Sequence, residues 1–154
     1  MIFISHRGNT TGPNKKSENH PEYIDRALRI FDAEIDLWHH SGLFYLGHDS
    51  PEYKIDISWL KDRQKKLWIH CKNINAMLAL CDLNDSESFC FNFFGHDKDD
   101  YVLTSLNYIF TIPTSKKQKW NTRSVIVMPE YYGYTGSTSG AAGILTDFPE
   151  NHKM

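Results

Sequence analysis

The chain has little cysteine, no strong charge of either sign and no long apolar run, and each lack narrows what it can be. Cys71, Cys81 and Cys90 are the only cysteines in 154 residues, an odd number without metal-type spacing. That argues against a disulfide framework and for a reducing interior. The formal net charge is −2, so no global field favours nucleic acid or an anionic membrane surface. Any bound anion must be held by a local arrangement. No apolar stretch approaches the roughly 20 residues of a membrane span, and no charged segment followed by an apolar one opens the chain. The expectation is a cytoplasmic protein with neither membrane nor nucleic-acid partners. What is present is a globular composition, 40% hydrophobic, 23% charged and 14% aromatic. A chain of this size can bury a real core, so one domain over 1–154 is expected, with oligomeric state left open.

Residues 2–5 read as a short buried strand, followed by a polar loop over 9–19. In "NHPEYIDRALRIF", Asn19 or His20 can start a helix, Pro21 suits its first turn and Glu22 its positive end. Tyr23, Ile24, Ala27, Leu28 and Phe31 give it an apolar stripe. "AEIDLWHH" reads as a strand turning at Ser41-Gly42 into "LFYLGHD", and "ISWLKDRQKKL" as a short helix. "LWIHCKN" predicts a strand and "INAMLALCDLN" a helix. Strand-like segments then dominate: "FCFNFF", "YIFTIP", "SVIVMPE" and "GILTDFP". Alternating strands and helices predict βα units on a mainly parallel sheet, and the second half is short of helices.

Chemistry gathers at the strand ends, where a parallel α/β fold places its site. His6-Arg7, Glu34-Ile35-Asp36, His48-Asp49 and His70-Cys71-Lys72 each follow or close a strand. Taken singly they are ordinary: a lone histidine is usually structural, Glu-x-Asp a solvated face and His-Asp a turn. Together they could supply metal, acid, base and anion clamp, the parts a phosphodiester cleavage requires. Carboxylates two apart on a strand share a face and can ligate a hard divalent cation. Two histidines can act as general base and acid near neutral pH. Arginine offers phosphate a planar fork of donors, and glycine allows close backbone approach. His96 follows another strand and adjoins Asp97, Asp99 and Asp100. That segment reads either as a solvated acidic loop or as a source of one more ligand or leaving-group contact.

The order of these motifs resembles the glycerophosphodiester phosphodiesterase family, which shares its barrel with the phosphatidylinositol-type phospholipases. The likeness rests on His6-Arg7-Gly8, on Glu18-Asn19-His20 where the family has Glu-Asn-Thr, on Glu34-Ile35-Asp36, on His48-Asp49, and on the closing "GILTDFPE". It covers residues 2–49, 67–73 and 143–150. Where the family reads Glu-x-Lys, with the Glu as third metal ligand, this chain has His70-Cys71-Lys72. It is also far shorter than the ~250 residues typical of a (β/α)₈ barrel. The resemblance therefore implies an α/β, compact, reduced (β/α) TIM-barrel-like fold with some helices missing or shortened, carrying seven or eight strands.

By the same resemblance, the expected activity is metal-dependent hydrolysis of a small glycerophosphodiester-like substrate. His6 and His48 would be catalytic, and Arg7 and Lys72 would bind substrate; His96, which lies outside the family's pattern, is a further substrate-binding candidate from its place after a strand. Glu34, Asp36 and His70 would hold one divalent cation, Mg²⁺ or Ca²⁺, with Mn²⁺ admitted by the imidazole. Two other readings stay open: a lyase of the same superfamily that stops at a cyclic phosphate, and a non-catalytic module binding phosphate or sugar phosphate.

Overall fold

The computed structural model describes residues 1–86 and 88–152. Ten strands and three α-helices follow one another among the described residues. The first half runs β1 (Ile2–His6), α1 (Pro21–Leu28), β2 (Asp32–His40), β3 (Leu43–Leu46), β4 (Tyr53–Ile55), α2 (Ile57–Arg63), β5 (Leu67–Cys71) and α3 (Ile74–Asp85). The second half holds β6 (Asn92–Phe94), β7 (Tyr101–Leu103), β8 (Ile109–Thr111), β9 (Ser124–Val127), β10 (Gly143–Thr146) and a 3₁₀ turn, Pro149–His152. Helices are thus confined to the first half among the described residues, as the sequence pattern predicts.

Seven strands form one parallel run in the order β6-β5-β2-β1-β10-β9-β8. β3 and β4 extend the sheet antiparallel from the later half of β2, and β7 pairs antiparallel with β8. The run curls so far that its two ends touch. Ser105, in the β7–β8 connection, donates its backbone N–H to the Phe93 carbonyl at 2.8 Å and its hydroxyl to the Phe91 carbonyl at 2.9 Å. Across the same gap the Phe94 and Phe110 rings lie 4.7 Å apart. The result is a compact α/β fold with a half-barrel sheet.

Strand alternation gives the sheet two apolar faces. Ala33, Ile35 and Leu37 of β2, with Leu67, Ile69 and Cys71 of β5, face outward onto Ile24, Leu60, Ala76 and Leu80 of the helices. The opposite positions face inward, where Ile4, Trp68, Phe94, Phe110, Val125 and Leu145 fill the curl. Burying a side chain such as Leu60 or Leu80 contributes about 1.5–3 kcal/mol each, which ties the helices to the sheet. Glu34 and Asp36 share the inward face of β2 with that core, so the site grows out of the inner layer rather than the surface.

Two details differ from the sequence pattern. Pro21 opens α1, with His20 at the N-cap, but the helix stops at Leu28, and Phe31 reaches the core from beyond its end. β4 and β7, at three residues each, are too short to show an alternation, which is why ten strands replace the seven or eight expected. No α-helix covers β8, β9 or β10 among the described residues. No helix of the described residues is long and apolar enough to cross a membrane.

Candidate active site

The opening His6-Arg7-Gly8 ends β1 with two successive residues in the left-handed region, Arg7 at φ 52° and Gly8 at φ 91°. Glycine is required at the second, because a Cβ there would lie 2.6 Å from the Tyr23 ring. The reversal is fixed by the Arg7 N–H donating to the Glu34 carbonyl at 3.0 Å and the Asn9 N–H donating to the His6 carbonyl at 2.9 Å. It carries His6 and Arg7 over the carboxyl end of the sheet. A similar device places His48: a Cβ on Gly47 would sit 2.1 Å from the Ser50 carbonyl oxygen, and the Trp38 indole donates to the Gly47 carbonyl at 2.7 Å.

A cavity of about 350 Å³ opens at this end of the strands. His6, Arg7, Glu34, His48, His70, Lys72 and His96 all line it, so nearly every residue singled out from the sequence meets in one place. Asp36 is the exception: it is completely buried and lies behind the cavity wall. Asp97, Asp99 and Asp100 also reach the cavity, as exposed residues at its edge. No sequence motif pointed to the apolar wall, which includes Phe94, Phe110, Val127, Met128 and Leu145.

Asp36 is the hub of the charged groups. Its Oδ2 lies 2.9 Å from Arg7 Nε, an ion pair whose angle falls outside hydrogen-bond geometry, and accepts from Asn19 Nδ2 at 2.8 Å. Its Oδ1 lies 3.1 Å from His70 Nδ1 and 3.5 Å from Lys72 Nζ. Burial alone would raise the Asp36 carboxyl, but the His70 hydrogen bond and the Arg7 charge outweigh it and hold the group well below the usual aspartate range. Asn19 also accepts the Asp36 backbone N–H at 2.9 Å, and itself sits at φ 61°. With Arg7 and Met128 (φ 44°) it makes three strained non-glycine residues around one site, a concentration typical of functional positions.

Glu34 is the opposite case. It is nearly inaccessible, and its Oε2 has no hydrogen-bond partner. Burial, then the neighbouring Asp36 charge, push its carboxyl above the usual range. A buried, unpartnered carboxylate oxygen calls for a proton or a cation. Glu34, Asp36 and His70 each offer one ligand atom, and these atoms lie within 4.8 Å of one another. Two carboxylate oxygens and an imidazole nitrogen suit a divalent ion, and the imidazole favours a borderline one over Mg²⁺ or Ca²⁺.

Two histidine–carboxylate pairs complete the arrangement. His6 Nδ1 lies 2.8 Å from Asp147 Oδ1, and His48 Nδ1 lies 2.6 Å from Asp49 Oδ1. A carboxylate only accepts, so each pairing puts a proton on Nδ1 and leaves Nε2 as the nitrogen that exchanges protons. Burial alone would lower His6, but the Asp147 hydrogen bond and the Glu34 charge outweigh it and raise it above the ordinary histidine value. Burial alone would raise Asp147, but the His6 bond and charge together with the Asn9 bond hold it below its usual range. His96 stacks on His70 with centroids 4.6 Å apart, and burial followed by the His70 charge lowers it.

Asp147, Asn9 and Glu130 are the supporting residues that sequence reasoning missed. Asn9 Nδ2 bridges Asp147 Oδ1 at 2.8 Å and Glu18 Oε1 at 2.9 Å, while Glu18 Oε2 accepts from Arg7 at 3.2 Å. Glu130 Oε1 accepts the Asp147 backbone N–H at 2.8 Å and the Thr146 hydroxyl at 2.9 Å. Asp147 lies within the "TDFP" stretch, and Glu18 and Asn19 within "ENH", so the segments carried a signal but not the roles. Compared with known proteins, the chain matches no family model and no curated protein.

Proposed function

We propose that the protein is a metal-dependent phosphodiester hydrolase acting on a small glycerophosphodiester-like substrate, with His6 and His48 as its acid–base pair. The observation that carries this reading is that both histidines line one cavity with Nδ1 held by a carboxylate and Nε2 left to work. The reading takes the curled parallel run as a reduced (β/α) barrel of the glycerophosphodiester phosphodiesterase type, with the site at the carboxyl ends of its strands.

Arg7 and Lys72 face the cavity as cations and would hold the non-bridging oxygens of a phosphodiester. Glu34, Asp36 and His70 would hold one divalent cation, Mg²⁺, Ca²⁺ or Mn²⁺, which supplies charge neutralisation at the phosphate. One histidine takes the proton from the attacking hydroxyl, either water or a neighbouring hydroxyl of the substrate. The other gives its proton to the departing alkoxide as the old P–O bond breaks. His96, stacked on His70 in the same cavity, would contact the leaving group.

Turnover of glycerophosphocholine and glycerophosphoethanolamine in the presence of Mg²⁺, Ca²⁺ or Mn²⁺ tests this. The expected result is release of the free alcohol by wild type and a loss of about 10²–10⁴-fold in His6→Ala and in His48→Ala, both with unchanged circular dichroism. No turnover with any ion, or full turnover in both variants, would overturn it. A cyclic phosphate as final product would reassign the enzyme as a lyase.

A further inference from the structure

A second cavity, of about 470 Å³, lies at the amino ends of the strands and shares no lining residue with the first. Trp68 faces it, while Phe94 and Phe110, packed with Trp68 in the inner core, face the active-site cavity. An aromatic layer therefore separates the two, and whatever binds below does not reach the acid–base pair.

The lower cavity has acceptors but few partners for them. Asn92 is only 5% exposed, lines the cavity, and its side-chain oxygen has no hydrogen-bond partner. A buried carboxamide oxygen without a donor is destabilising, so its retention at an inward position of β6 points to a ligand. Asp32 lies on the same wall. One of its oxygens accepts from the Trp68 indole N–H at 3.0 Å, which leaves the other for a second donor. β5 and β6 pair Trp68 with Asn92 in register, so indole, carboxylate and carboxamide are set by adjacent strands. Around these acceptors the lining is aromatic: Trp68 meets Tyr108 edge-to-face at 4.9 Å, and Phe89 stands at the mouth. Lys65 is exposed at the rim, where solvent screens its charge.

Two oxygen acceptors, one of them anionic, among aromatic rings match a flat cation rich in N–H groups. We propose that this cavity is a second binding site, for a planar cation of the guanidinium or amidinium class, held on the Trp68 and Tyr108 rings with its N–H groups on Asp32 and Asn92. Such a cation donates in a fork that suits a carboxylate, and its face stacks on aromatic rings. A compact ammonium would satisfy the charge but leave the rings uncovered.

Calorimetric titration of the full chain with benzamidine, and with benzamide as the uncharged compound of similar shape, tests the site. The expected result is one saturable site for benzamidine, with benzamide weaker by about tenfold or more. Asp32→Asn keeps an acceptor for the Trp68 indole, and Asn92→Leu keeps the branched outline of the side chain without its oxygen; each should weaken benzamidine by a similar factor while melting as a folded protein. In case a variant does not fold, amide and indole NMR shifts of wild type give an independent reading, with the Trp68 indole N–H expected to move on titration. Equal binding of benzamide, undiminished binding in folded variants, shifts confined to the His6–His70 cavity, or no saturable binding would each overturn the proposal.

Discussion

His6 and Asp36 show how neighbours set what a residue can do. The Asp147 carboxylate keeps His6 above the ordinary histidine value, so Asp147→Asn should lower it. NMR titration of the His6 ring checks this: the midpoint is expected to fall, and the limb of the activity profile that belongs to His6 should move to lower pH with it. Asp36 bears on stability. Its carboxyl is depressed in the folded state, so the unfolded chain binds that proton more readily. The stabilisation it gives is complete above the ordinary aspartate value near ~4 and is lost as pH falls through the lower folded value. Asp36→Asn removes a buried carboxylate from Arg7 and His70 while Glu18 still pairs with Arg7, and is expected to cost about 1–3 kcal/mol at neutral pH. Urea unfolding at a series of pH values should also show that the variant has lost part of the acid-dependent slope of wild type.

Whole elements aim these side chains, and the aiming depends on a few side-chain-to-backbone bonds. Asn73 caps α3 by accepting the Ala76 N–H at 3.0 Å, and its side chain also exchanges bonds with the His39 backbone, at 2.9 and 3.3 Å. It ties the start of a helix to the end of β2. Asn73→Ala should cost about 1–2 kcal/mol in chemical denaturation. Divalent-ion affinity is expected to stay unchanged, since Asn73 touches none of Glu34, Asp36 or His70. The long elements were legible because period and punctuation agreed: Pro21 and Glu22 opening α1, Gly8 and Gly47 ending strands. β4 and β7 were not, because three-residue strands are set by their partners and show no period of their own. Asp147 was hidden for a related reason. Its role comes from β10 lying beside β1, a pairing of residues far apart in sequence that no local pattern contains.

For the molecule as a whole, one curled parallel run gathers His6, Glu34, His70 and His96 from four strands or strand ends onto a single cavity. Parallel strands bring their carboxyl ends to one face, which is why motifs far apart in the sequence line one cavity. The motifs could not show that Asp36 would be recessed and already neutralised by Arg7, nor that Glu34 would be left with an unpartnered oxygen. That contrast makes the bound ion the central claim. A crystal of the full chain soaked in Mn²⁺ and measured at the manganese absorption edge tests it most directly. The expected result is one anomalous peak within bonding distance of Glu34, Asp36 and His70. No peak there, with Asp36 still held by Arg7 and His70, would contradict it.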